Sequence, residues 1–207
     1  MEKSANNALD GTTEERIKEV ARKMFTQKGY AATRVKDIAE EAGMNIALLN
    51  YYFRSKEKLF DIIMAENIQQ IAGSIKQIMM DPKTSLSEKV QKIVTFYIDL
   101  FTNEPELPLF VFREVTANPD KLVDIVGRKQ ITQSYFFKQL QAELDAHEIS
   151  MHPMQIMMSI MSLVVMPFIA RPLVQVIANQ EPAEFYALMQ ERKRLIPLWI
   201  SAILKAS

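Results

Sequence analysis

The sequence predicts an all-α protein of about nine helices. Three observations point there. Apolar residues recur at three- and four-residue spacing along most of the 207 residues. No stretch alternates with period two for long enough to be a strand. Most glycines and prolines fall where one periodic segment gives way to the next.

The elements follow in order. Thr12 or Thr13 caps a first helix, and Thr12 with Glu15 fits a capping box. Ile17, Val20, Ala21, Met24 and Phe25 form its apolar stripe, and Gly29 ends it. Thr33 caps a short second helix carrying Val35, Ile38 and Ala39, closed by Gly43. A third runs from about Asn45 to Tyr52. Ser55 caps a fourth, with Leu59, Phe60, Ile63, Met64 and Ile68 down one side to about Met79. Ser85 or Ser87 starts a fifth, with Val90, Ile93, Val94, Ile98 and Phe101. A short apolar helix spans Leu109 to Thr116. Pro119 suits the first turn of a long helix to about His147, and Pro153 opens another to about Ala170. Arg171-Pro172 interrupts the chain, and Pro182 opens the last helix, to about Lys205.

Composition excludes several classes of function. Lys+Arg and Asp+Glu are 25 each, so bulk charge advertises neither nucleic acid nor an anionic membrane. There are no cysteines, which removes disulfides, thiolate metal sites and a thiol nucleophile. His147 and His152 are five apart, the wrong spacing for one helical face, so no metal is expected. Five scattered glycines make no phosphate loop, and no cofactor is expected. Neither G-x-S-x-G nor H-E-x-x-H occurs, so no enzymatic activity is expected. The first residues have no apolar run and do not read as a secretory signal; the expected location is cytoplasmic. Residues 149–170 hold no Asp, Glu, Lys or Arg, but Gln155, Ser159 and Ser162 lay a polar stripe along them. That suits a helix buried by its own core and by a partner subunit better than a membrane span.

Residues 35–52 carry the function. Ala39 is small enough for a close helix crossing. Gly43, four further on, tolerates positive φ in a turn. Ile38, Ala42, Met44 and Leu49 hold the second helix on the first. This is helix-turn-helix spacing, whose second helix can enter a major groove about 12 Å wide.

The flanks add Phe25, Gly29, Tyr30, Thr33, Val35 and Asp37 before the turn, and Leu49, Asn50, Tyr51, Tyr52, Phe53, Ser55, Lys56, Glu57 and Leu59 after it. Over about residues 13–60 this run closely resembles the N-terminal domain of TetR-family transcriptional regulators. Ala47 replaces that family's usual glycine, and Asn50 stands where it usually has tyrosine. The resemblance implies a three-helix DNA-binding domain at residues 12–60 and a larger helical effector-binding and dimerisation domain at 61–207.

On this reading Arg34, Lys36 and Lys56 clamp phosphates, and Thr33 with the helix start it caps adds hydroxyl and N–H contacts. Tyr51 and Tyr52 offer hydroxyls to the backbone. Asn45, Ile46, Ala47 and Leu48 face base edges, with apolar contacts to thymine methyls, and Asn50 donates to a phosphate or reads adenine. Aromatic and methionine-rich segments beyond residue 60 suit a core and subunit interface, or a pocket for an apolar or amphipathic small molecule. Tyr97, Arg113 and Glu114 are candidate polar anchors there. The resemblance implies such a pocket between about residues 61 and 147, and Met64, Ile68, Tyr97, Phe101, Phe110, Arg113, Phe136 and Phe137 are its candidate lining.

Two readers about 34 Å apart would meet successive major grooves, so a homodimer through the last two long helices is expected. The fourth helix is the natural lever between effector and reader. The resemblance implies repression more often than activation. Two competing readings are a small-molecule-binding helical protein or enzyme with an architectural helix-turn-helix, and a partner-binding helical adaptor.

Overall fold

A computed structural model describes residues 2–117, 119–127, 131–179 and 181–205. The elements are α1 Glu2–Ala32, α2 Val35–Glu41, α3 Ile46–Phe53, α4 Lys56–Met80, α5 Leu86–Asn103, α6 Leu107–Ala117, α7 Pro119–Val126, α8 Tyr135–Ala146, α9 Pro153–Ile169, α10 Arg171–Ala178 and α11 Pro182–Ile203. The described residues form helices and no strand, so the fold is all-α. They fall into two compact units, Met1–Ile68 and Gln69–Ser207.

In the first unit, Ile17, Ala21, Met24 and Phe25 of α1 form the buried stripe that their spacing requires. They share the core with Ile38, Ala39 and Ala42, with Leu49 and Phe53, and with Leu59, Phe60, Ile63 and Met64. Gly29 departs from helical backbone (φ 75°, ψ 164°), so α1 is kinked there. The helix already runs upstream of Thr12 and Thr13, from Glu2, so neither threonine begins it.

The α2–α3 connection is a Schellman motif. Met44 N donates to Ala39 O at 2.8 Å and Gly43 N to Glu40 O at 3.0 Å. It needs φ +70° at Gly43. A Cβ there would lie 3.4 Å from the mobile guanidinium of Arg16, so glycine is required by the dihedral rather than by lack of room.

Glu66 ties α4 to α1. It accepts from Lys18 Nζ at 2.6 Å through Oε1 and from Arg22 Nη2 at 2.8 Å through Oε2. Burial pulls the Lys18 pKa down. Hydrogen bonds and charge from Glu15 and Glu66 outweigh that and hold it above its ordinary value.

In the second unit α5 is the hub, packed by α8, α9 and α11. Ser85 and Glu88 form its capping box. Rings file through this core: Tyr97 on Phe101 at 5.5 Å, Phe101 on Phe168 at 5.4 Å, Phe168 on Phe185 at 5.8 Å. Ile156, Ile160, Val164 and Phe168 are the inner ladder of α9, and Phe185, Met189, Ile196 and Ile200 that of α11.

Two expectations change here. The long helix from Pro119 to His147 is broken: Gly127 takes φ 79° after α7, and Ser134 caps α8 by accepting from Phe137 N at 3.1 Å. Arg171-Pro172 interrupts α9 as expected, but Pro172 lies in the first turn of a further helix, α10, bent 68° from α9. With these two breaks, the described residues form eleven helices in place of about nine. No single described helix is long and apolar enough to cross a membrane. His152 caps α9 by accepting from Met154 N, and His147 Nδ1 lies 3.0 Å from Glu143 O.

Candidate nucleic-acid interface

Eight residues at 1.5 Å rise make α3 about 12 Å long, and a helix diameter of about 10–12 Å with side chains suits a major groove about 12 Å wide. Leu49 and Phe53, four apart, are buried and fix the helix on the core. The same periodicity turns Ile46, Ala47, Asn50, Tyr51 and Arg54 outward. Ile46 is 42% and Tyr51 76% exposed. α3 carries no charged residue, so its outer face offers methyls, one amide and one phenol. Arg34, Lys36, Arg54 and Lys58 are exposed around it. Lys36 pairs loosely with Glu40, at 3.6 Å.

Three of the expected contacts are redirected inside the protein. Thr33 is fully buried, and its hydroxyl donates to Gly29 O at 2.8 Å and Met24 O at 3.3 Å. It neither caps α2, whose N-cap is Arg34, nor reaches solvent as a phosphate donor. Asn45 caps α3, its Oδ1 accepting from Leu48 N at 2.7 Å, so that oxygen is not available to a base. Lys56 donates to the carbonyls of Tyr30 and Thr33 at 2.9 and 3.0 Å and lies 4.1 Å from the centre of the Tyr30 ring. Its ammonium is an internal brace rather than an outward clamp.

Leu48 and Tyr52 are half-buried. Tyr52 stacks edge-on with Tyr51 at 5.3 Å, which orients the exposed phenol. Arg54 is exposed at the C-cap of α3 with φ 62°, beside the outward face, and was missing from the expected contacts. Its position directly after Phe53 was the available signal.

Residues 17–63 match the model of the bacterial regulatory proteins of the tetR family. The probable HTH-type transcriptional regulator YttP of Bacillus subtilis (strain 168) is 25% identical over 199 residues, covering 94% of this chain and 95% of that protein. The chain carries a TetR-family N-terminal domain. It is a DNA-binding transcriptional regulator, and the architectural reading of its helix-turn-helix falls away. The HTH-type transcriptional repressor KstR2 of Mycolicibacterium smegmatis is 33% identical over 117 residues, half of this chain and 56% of that protein. Among solved structures, a TetR/AcrR-family regulator from Thermobifida fusca superposes with TM-score 0.56 at 18% identity, covering 89% of this chain and 96% of that one. The regulator FadR of Bacillus subtilis, solved in complex with stearoyl-CoA, gives 0.53 at 17%, covering 87% and 96%. At these identities the two structures show a shared TetR-type fold and nothing finer.

Of the candidate ligand residues, Met64 and Ile68 are buried in the first unit. In the second, Phe101, Phe110 and Phe136 are buried core rings, and Phe137 is half-buried beside His152. Arg113 is exposed, 5.6 Å from the Phe110 ring, and Glu114 is half-buried. Tyr97 is different. Burial pushes its hydroxyl up to about 12, yet the side chain keeps accessible surface. Its ring packs on Phe101 at 5.5 Å and on Phe96 at 5.6 Å.

The Tyr97 shift has a definite sign. Its folded pKa lies above the ordinary value of 10, so its contribution is whole below pH 10 and is lost as pH rises toward 12. The full loss is up to about 2–3 kcal/mol. Urea unfolding between about pH 9 and 12 should therefore show wild type losing stability relative to Tyr97→Phe above pH 10. Parallel profiles would show the phenol to be freely hydrated.

Proposed function

We propose that the chain acts as a dimeric repressor whose hold on its operator is released by a small hydrophobic or amphipathic effector. Residues 12–60 read the duplex, and residues 61–207 pair two copies and take the effector. The carrying observation is α3: inner face buried, outer face exposed and uncharged. Ile46, Ala47 and Leu48 approach thymine methyls, and Asn50 reads adenine. Tyr51 and Tyr52 meet the sugar-phosphate backbone, joined by Arg34, Lys36 and Arg54. The protein works by binding rather than by catalysis, in the cytoplasm where the DNA lies.

Pairing is supported by exposed apolar residues on the last three helices. Met158 and Met166 of α9, Leu173, Val176 and Ile177 of α10, and Leu188, Leu198 and Trp199 of α11 all face outward. Between these helices lies an open groove of about 550 Å³, walled by Leu163, Met166, Pro167, Phe185, Leu188 and Leu195. Arg192 closes one side, donating to Leu163 O at 2.8 Å and lying 5.2 Å from the Trp199 ring. A second copy related by a two-fold axis covers this face.

Repression is supported by the names of partial relatives such as KstR2. The FadR complex makes long-chain acyl compounds the first effectors to try. An effector that favours the non-binding state by about 1–3 kcal/mol weakens DNA binding roughly 5–150-fold, with α4 as the lever.

Anisotropy titration against the DNA upstream of its own gene, with and without such compounds, tests this reading. Specific binding relieved by a compound supports it; operator affinity unmoved by every compound removes the effector from the account. In the same assay Asn50→Ala should weaken specific binding about 5–150-fold and erase the preference at one A·T position. Equal affinity for all substituted duplexes in the wild type would show that Asn50 reads nothing.

A further inference from the structure

We propose that Lys56 is a positioning residue that braces the open end of the helix-turn-helix, and so sets sequence discrimination rather than phosphate affinity. α2 and α3 are joined at one end by the turn through Gly43. Their other ends, the start of α2 and the end of α3, have no covalent link of comparable length. Lys56 lies three residues beyond the end of α3 and bonds the carbonyl of Thr33, two residues before the start of α2. Its second bond, to the Tyr30 carbonyl, and its place over the Tyr30 ring fix the same junction from the other side.

The junction is otherwise rigid. Gly29 is kinked, the buried Thr33 hydroxyl closes on Gly29 O and Met24 O, and the Tyr30 ring packs on Phe60 at 4.8 Å and Phe25 at 5.9 Å. Only a side chain with several N–H donors can tie two carbonyls at once, and lysine has three. Arg34, the exposed N-cap of α2, follows directly on the braced carbonyl. Releasing the brace frees α2 and α3 to splay about the Gly43 turn. Base contacts, which demand fixed geometry, suffer first. Phosphate contacts tolerate the change.

This rests on the chain reading DNA through α3, and the experiment separates the two claims. Wild type, Lys56→Met, Lys56→Arg, Thr33→Val and Arg34→Ala are titrated over a range of salt. The probes are a duplex of about 30 bp enriched by the wild type from a random library, long enough for two half-sites, and a scrambled duplex of the same composition. Lys56→Met should lose roughly tenfold on the enriched duplex and less than about twofold on the scrambled one, with an unchanged salt slope. Thr33→Val, which alters the same junction without removing charge, should share that signature. Lys56→Arg, which keeps several donors, should restore discrimination. Arg34→Ala should instead weaken both duplexes and flatten the slope by about one unit per reader. The inference is overturned if Lys56→Met behaves like Arg34→Ala, or if Lys56→Met and Thr33→Val both leave discrimination intact. A wild type that enriches no duplex sinks the DNA reading itself.

Discussion

Met166→Glu and Leu198→Glu are each expected to leave a folded chain that no longer pairs and that binds its operator about 10²-fold or more weakly. Met166 is 51% and Leu198 54% exposed, so neither substitution opens the core. The inner ladders of α9 and α11 remain intact: Ile160, Val164 and Phe168 on one, Phe185, Ile196 and Ile200 on the other. In an isologous pairing each new carboxylate appears twice around the two-fold axis, buried among apolar groups without a cation. Association is lost before folding is. Two linked readers bind as one event plus an intramolecular second, so uncoupling them removes the effective-concentration gain. Sedimentation equilibrium and anisotropy report the two losses together. A Met166→Glu chain that stays dimeric would place the pairing surface elsewhere. A monomeric chain with full operator affinity would end the two-reader account.

What the sequence made legible was local. The Schellman turn at Gly43, the capping box of Ser85 with Glu88, and the proline starts of α7, α9 and α11 are each decided within a few residues. On α3 the burial of Leu49 and the exposure of Ile46 and Ala47 were legible, whereas Leu48, expected at base edges, is half-buried. Local signals also misled. Thr12-x-x-Glu15 has the form of a helix start but lies inside α1, since a capping pattern does not record what precedes it. Gly127 was visible, but the proline start at Pro119 and the apolar stripe after it masked the break.

Long-range contacts were not legible. Lys56 meets carbonyls 23 and 26 residues away, and Glu66 meets cations 44 and 48 residues away. A flanking lysine near a reader helix looks like a phosphate clamp until its partners are seen. Thr33 was misassigned for the same reason: its neighbours in sequence suggested a cap, while its neighbours in space supply two buried carbonyls.

Leu49→Ala against Ile46→Ala is the sharpest comparison α3 offers. The two residues are three apart in one helix, and their environments are opposite: Leu49 is fully buried and Ile46 is 42% exposed. Truncating Leu49 removes its burial and leaves a cavity in the core, which should destabilise the first unit by about 2–5 kcal/mol. Against a total stability of order 5–15 kcal/mol, that unfolds a measurable fraction at physiological temperature. Truncating Ile46 should stay within about 0.5 kcal/mol of wild-type stability. Its effect falls on DNA, where one lost methyl contact should weaken an A·T-containing operator by about 1 kcal/mol, roughly fivefold. Urea unfolding by far-UV circular dichroism and operator anisotropy measure the two axes independently. One variant therefore moves stability with little left to bind, and the other moves binding alone. If both variants lose stability equally, α3 is held by both faces and has none free for a groove. If neither does, Leu49 does not anchor it.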